Sequence, residues 1–257
     1  MKFKFPSFKI KTSVLALFWV LIIFSLMAFV HKRQQNKICQ KVNVSIDNEY
    51  NNYFIENEDV QNLMTRNEKE NLINNIHEFI NLKELEKRIK SHGFVEKVVV
   101  SKDLKGQISV DVIQYQPLVR LAISGQADVY VSSTGKILPM SNRFTARCMV
   151  LSGAYNSLLA QKDWKKDSLR SHYFNFVQRI TNDDFLSPLL PQADINWKGE
   201  IFIYPQVGKQ VIDFGNPTEL DIKFAKIQLL YKKIIPTKGW NKYSFVSVKY
   251  KDQIICE

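Results

Sequence analysis

At 257 residues and 45% hydrophobic content, the chain is long enough for one large domain or two small ones with real cores. Its 36 Lys and Arg outnumber 25 Asp and Glu for a net charge of +11; without the Arg and aromatic clusters of RNA-binding sheets, that excess points to anionic lipid or an acidic partner and away from nucleic acid. Cys39, Cys148 and Cys256 lie far apart with no C-x-x-C pair, which excludes a cysteine metal knuckle and a disulfide scaffold and leaves isolated thiols.

Residues 1–12, MKFKFPSFKIKT, are too short to fold, and their lysines suit the anionic inner surface of a membrane, each worth about 1 kcal/mol there. Residues 13–30, SVLALFWVLIIFSLMAFV, carry no charge over eighteen positions. That is about the minimum that crosses a bilayer as a helix. A cleaved signal peptide is the rival, but its apolar core would run for about 7 to 15 residues and end in small side chains. Here Leu26 stands where cleavage after Ala28 wants a small residue. Lys2, Lys4, Lys9 and Lys11 before the segment are matched by Lys32, Arg33, Lys37 and Lys41 after it. The positive-inside count is therefore close to a tie, and a short cytoplasmic tail with everything after residue 30 exported is allowed.

Beyond the segment, KVNVSID at 41–47 alternates Val42, Val44 and Ile46 with polar residues, as a strand does. IENEDVQNLM places Glu56, Glu58 and Asp59 in a first helical turn, where negative charge suits the helix dipole, with Val60, Leu63 and Met64 as its apolar face. Asn81 with Glu84 three residues on predicts the cap of a second helix, lined by Leu82, Leu85 and Ile89 and ended by Gly93. Strands over 94–101 and 107–115 follow, joined by a turn at 103–106, and Pro117 closes the unit. The order is β-α-α-β-β.

That order, directly after one membrane anchor, resembles a POTRA domain. The run HGFVEKVVVSKDLKGQISVDVIQYQPLVRL is similar to the most characteristic part of the bacterial division family FtsQ/DivIB, through Gly93, Phe94 and Val95, then Val98 and Val100, then Ile108, Val110, Val112 and Pro117. Gln114 stands where that family often has Glu. Further on, DVYVSSTGKILPM at 128–140 is similar to the family's Gly-turn hairpin, with Ser132 where Asp is common, and MVLSG at 149–153 to its next strand. A helix follows with Leu169, Tyr173, Phe176, Val177 and Ile180 on its apolar face. EIFIYPQVGKQVIDFG resembles the family's paired strands, with Pro205 and Gly208 at the turn and Gly215 at the close. KFAKIQLLYKK resembles its long helix, with Phe224, Ile227 and Tyr231 facing inward, and FVSVKYKDQ its last strand, with Ser247 in place of Asp.

No chemistry of the catalytic kind emerges. STGK at 133–136 satisfies an S-x-x-K pattern, but Gly135 sits between two strand-like runs where a helix is required, and TKG at 237–239 is in the wrong order. His31, His77, His92 and His172 show no metal spacing, Asp183 and Asp184 read as a solvated loop pair, and the nine glycines form no phosphate-cradling loop. The expectation is no catalytic residues, no cofactor, no metal and no small-molecule substrate.

The fold expected is α+β: a tail at 1–12, a transmembrane helix at 13–30, a POTRA domain at 31–116 and a β domain with two helices at 117–257. The resemblance implies a non-enzymatic, single-pass protein of the bacterial inner membrane, N-terminus cytoplasmic and bulk extracytoplasmic, at the division septum. It also implies partners, FtsB-like and FtsL-like bitopic division proteins, and a mode of binding, in which a partner adds a strand to the C-terminal edge. Such binding takes affinity from backbone hydrogen bonds and specificity from alternate side chains. The residues expected to carry it are Val248, Lys249, Tyr250, Lys251, Gln253, Ile254 and Ile255, on an edge running to Cys256. Lys249 and Lys251 would either pair with acidic groups of the partner or protect the edge. Lys251 and Asp252 either turn between two short strands or kink a single one. The alternative function is an exported cell-wall enzyme or peptidoglycan-binding module on the same anchor, which substrate turnover lost on Ser133→Ala would support.

Overall fold

The computed structural model describes residues 12–35, 38–48, 51–66, 72–73, 80–103 and 105–257, the side chains of 12–16 and 30–35 excepted. The expected tail, up to residue 11, and His77 lie outside them. Helix α1, Thr12–Gln35, forms over the uncharged run. Nearly all its described side chains are exposed, Phe24 at 72% and Met27 at 67%. Among the described residues no helix is long and apolar enough to cross a membrane.

The chain divides into two compact units, one of Met1–Ile46, Glu56–Ser91 and Lys97–Val112, the other of Asp47–Ile55, His92–Glu96 and Ile113–Glu257. The first is built from β1 (Lys41–Asp47), α2 (Asn57–Met64), α3 (Leu82–Lys90), β2 (Val95–Lys102) and β3 (Gln107–Gln114), with sheet order β1-β3-β2. Glu56 caps α2 in a reciprocal capping box with Asp59, which satisfies backbone N–H groups that the first turn leaves unpaired. Val60 and Met64 then face inward. Asn81 caps α3 by accepting from the Glu84 N–H, and Leu85 and Ile89 are its buried positions. Its far end departs from expectation. Ser91, in right-handed conformation, closes the helix through its N–H to the carbonyls of Lys87 and Arg88, and Gly93 does not take the left-handed conformation a glycine cap needs. On the edge strand β2, the Val100 N–H is taken by the Glu86 carboxylate at 3.0 Å.

The second unit carries β4 (Pro117–Leu121), β5 (Val129–Ser132), β6 (Ile137–Leu138), β7 (Met149–Ser152), β8 (Gln192–Ile195), β9 (Ile201–Tyr204), β10 (Val211–Gly215), β11 (Phe245–Ser247) and β12 (Ile255–Cys256). They form one sheet in the order β12-β11-β10-β9-β8-β7-β4-β5-β6. Parallel pairs at β4/β7, β7/β8 and β10/β11 make it mixed, and parallel neighbours require crossovers. Helices α4 (Asn156–Leu159), α5 (Ser168–Thr181) and α6 (Leu186–Leu189) lie between β7 and β8, while α7 (Leu220–Leu229) runs through a π turn, Leu230–Ile234, into α8 (Ile235–Lys238) between β10 and β11. Phe176 of α5, fully buried, packs between Phe214 of β10 and Phe224 of α7 with ring centroids 4.9 and 5.6 Å away. Tyr173, Val177 and Ile180 share its face, but Leu169 is 42% exposed. The inward place in that first turn belongs to Arg170, buried and bonded to the carbonyls of Leu158 and Leu159 and the carboxylate of Asp167.

Two departures from the family pattern have local reasons. Gln114, 4% exposed, donates to the carbonyl of Asn52 and the side chain of Asn48 while accepting from the Phe54 N–H, and an ionised Glu has no proton to donate. Ser132 accepts from the Lys136 N–H and bonds the Thr134 hydroxyl, bracing the hairpin turn where Gly135 sits at φ +82°. At the β6 edge the Ile137 N–H goes to the Asp163 carboxylate at 3.3 Å, and just before the strand the N–H of buried Trp164 goes to the Gly135 carbonyl at 2.7 Å.

Replacing Phe176 with Ala should cost about 3–5 kcal/mol, seen as a fall in Tm of roughly 10 °C for a unit of this size. A melting curve within a degree or two of the parent would disprove that this ring trio organises the core.

Candidate partner-binding edge

The sheet ends in three short strands. β11 lies parallel to β10, with Asp213 opposite Ser247, and β12 folds back antiparallel on β11, with Val246 opposite Cys256 and Ser247 opposite Ile255. Phe245 and Glu257 exchange both N–H···O bonds, at 3.1 and 2.9 Å. In an antiparallel pair such residues alternate with ones whose N–H and C=O point away, so Cys256, and by the same alternation Ile254, present theirs outward. Among the described residues nothing bonds to them.

The continuous strand expected through Tyr250 does not form. β11 stops at Ser247, and Lys251–Asp252 is a turn, with Asp252 at φ +59°. A carboxylate inside the sheet holds the segment that follows β11. Asp213, 2% exposed, accepts from Ser247 Oγ at 3.1 Å and from Lys249 Nζ at 2.8 Å, and its carbonyl takes the Val248 N–H at 3.0 Å. The Asp213 hydrogen bond raises the pKa of Lys249 above its ordinary value. From α7, Lys226 donates to the carbonyl of Tyr250 and, at 3.5 Å, to that of Val248. The backbone from 248 to 250 is thus held by β10 and α7 as it enters the turn.

The predicted site residues separate accordingly. Val248 is fully buried and anchors the segment, and Lys249 is bound to Asp213, so neither side chain is turned to a partner. Tyr250 is 44% exposed, and Lys251 and Gln253 are exposed in and after the turn. Ile254 and Ile255 are half-buried, Ile254 against the core. Burial pushes the Cys256 thiol up from its usual pKa. Asp213 and Lys226 were not expected; the signal for the first was a lone carboxylate within the apolar run VIDFG.

Elsewhere, Ser133 and Lys136 belong to the β5–β6 turn, and Lys136 lies over the ring of Tyr115 at 4.7 Å. Asp183, expected to face water, instead accepts from the N–H groups of Phe185 and Leu186 and from Arg179 and Gln228, which fixes the start of α6. Among the described residues no group of three or more His, Cys, Asp or Glu is placed to hold a metal ion.

A small three-stranded unit with two helices ahead of a mixed sheet defines a mixed α+β protein of the POTRA-like class, and residues 37–113 match the family model of a POTRA-like domain. Residues 116–257 match the model described as FtsQ/DivIB, C-terminal related. The chain belongs to the FtsQ/DivIB family, non-enzymatic cell division proteins with a general scaffold role. Comparison with curated proteins finds no match.

Replacing Lys249 with Gln strands the buried carboxylate and should cost about 1–2 kcal/mol, less than a fully buried pair because Lys249 is one-third exposed. With the folded pKa raised above 10.5, the stabilisation is complete below pH 10.5 and is lost as pH rises through the folded value. Denaturant titrations of both proteins should therefore differ at pH 8 and converge only as pH rises through the raised Lys249 value; a gap that stays constant into strong alkali would disprove the ion pair's role.

Proposed function

We propose that this protein is a membrane-anchored division scaffold that binds bitopic partners of the FtsB and FtsL kind outside the cytoplasmic membrane, by accepting a partner strand along β12. Its anchor is the uncharged run at 13–30, whose side chains are described only over 17–29, the N-terminus is cytoplasmic, and both compact units are extracytoplasmic at the division septum. It acts by holding partners and not by turnover. Family membership supports the scaffold role. The observation that carries the mode of binding is the pair of outward N–H and C=O sets on Ile254 and Cys256, unmatched among the described residues at an exposed sheet edge, while at the opposite edge Asp163 takes the Ile137 N–H.

Backbone pairing supplies affinity in strand addition, and alternate side chains supply specificity. Tyr250 and Ile255 are the apolar contacts beside the edge, and Lys251 is the cation left to meet an acidic group. The expected contribution of Lys249 is indirect, through the shape of the turn.

Proline has no N–H, so Cys256→Pro deletes an outward donor and leaves the inward bonds of Ile255 and Glu257 to β11 in place. One lost interfacial hydrogen bond is worth roughly 1 kcal/mol, and with the ring obstructing the incoming strand the affinity for an FtsB-like peptide should fall at least about tenfold. Ile254→Pro should behave alike, and Gln253→Glu should weaken binding less. Calorimetric titration on variants with unchanged Tm reads this directly, and parent-like affinity in both proline variants would refute strand addition at β12.

A further inference from the structure

In the second unit, the start of β4 and the extended segment leading into β7 diverge around a cavity of about 450 Å³, lined by Asn51, Asn52, Gln116, Phe144, Thr145 and Arg147. That volume is typical of small-ligand sites. Its polar groups are unusually idle. Asn52 is 7% exposed and its carbonyl is used by Gln114, yet among the described residues its side-chain amide makes no hydrogen bond. Among the described residues the side chain of Gln116 makes none either, and the exposed guanidinium of Arg147 makes no ion pair. Along the wall, the N–H of Phe144 goes to Ser141 Oγ and that of Ala146 to the Tyr130 hydroxyl, while the intervening N–H groups of Thr145 and Arg147 have no partner among the described residues.

We propose that this cavity binds a short extended peptide bearing a carboxylate. Donors at alternate residues of an extended segment match the spacing of carbonyls along an extended chain. Primary amides such as those of Asn52 and Gln116 both donate and accept, which fits a peptide group and not a bare anion. The guanidinium of Arg147 is built for bidentate pairing with a carboxylate. A phosphate ligand is disfavoured, because one cation lines the cavity and no glycine-rich loop or helix N-terminus faces it. The site is separate from β12, so neither assignment depends on the other.

The test is calorimetric titration of the full chain in detergent with two probes, acetyl-Ala-Ala-Glu-amide, whose carboxylate is a side chain, and acetyl-Ala-Ala-Ala, whose carboxylate is terminal. Saturable binding of at least one is expected, with the stronger probe naming the source of the carboxylate and acetyl-Ala-Ala-Gln-amide failing to bind. Arg147→Ala should weaken binding at least tenfold, Asn52→Asp should do likewise by facing the ligand with a like charge, and Lys198→Ala on the remote β8–β9 turn should change nothing. Each variant is first checked for an unchanged Tm; Arg147→Lys, which keeps the charge but loses the fork, should fall between. Absence of binding by either peptide, equal affinity for free acetate, or affinity indifferent to both Arg147→Ala and Arg147→Lys would overturn the assignment.

Discussion

A carboxylate inside a β-sheet has to be matched, and the end of this chain is shaped by how Asp213 is matched. An isolated buried charge is far more expensive than any other feature of the second unit. The two groups that answer it, Ser247 and Lys249, both belong to the segment entering from β11. Val248 gives its N–H to the Asp213 carbonyl, the last bond of the ladder between β10 and β11, and Lys249 lies alongside Gly215. Beyond it the chain turns at Lys251–Asp252 and returns as a new strand. The edge strand of the sheet is the two residues of β12, two strands out from Asp213 on β10.

The same pairing redistributes charge. Between Leu220 and Glu257 there are eight lysines and three carboxylates. Lys223 is buried on the carbonyl of Asn216, Lys226 holds Tyr250, and Lys249 holds Asp213. These three cations are used to build the segment. The positive potential that remains at the surface comes from residues such as Lys232, Lys233 and Lys251, which are exposed.

Elements whose formation depends on local chemistry were legible in the sequence. Asn81 and Glu84 announce a helix start because capping is decided within one turn, and the alternation of Ile108, Val110 and Val112 announces a strand because one face must be buried. The paired strands around Pro205 and Gly208 and the inward positions Phe224, Ile227 and Tyr231 were likewise readable. Residues whose role is set by distant partners were not. Leu169 looked inward by periodicity, but a long-range demand for Arg170 by the carbonyls of Leu158 and Leu159 took the place. Gly93 looked like a cap, yet α3 had already closed at Ser91. The strand over 245–250 carried good β-forming residues, yet β11 ends at Ser247 and Lys249 is bound by Asp213, more than thirty positions away in the chain. Of the site, the backbone edge near Ile254 was visible, whereas Lys249 was legible only as a cation, not as a cation already committed.

The two ends of the nine-stranded sheet differ in a way that limits what the molecule is able to build. At the β6 end Asp163 takes the N–H of Ile137, and the N–H of Trp164 goes to the Gly135 carbonyl just before the strand. In the language of polymers this end is partly capped, whereas β12 is reactive. Two copies meeting through β12 would consume both reactive ends and close as a two-fold pair, while a capped strand is a poorer template for further addition.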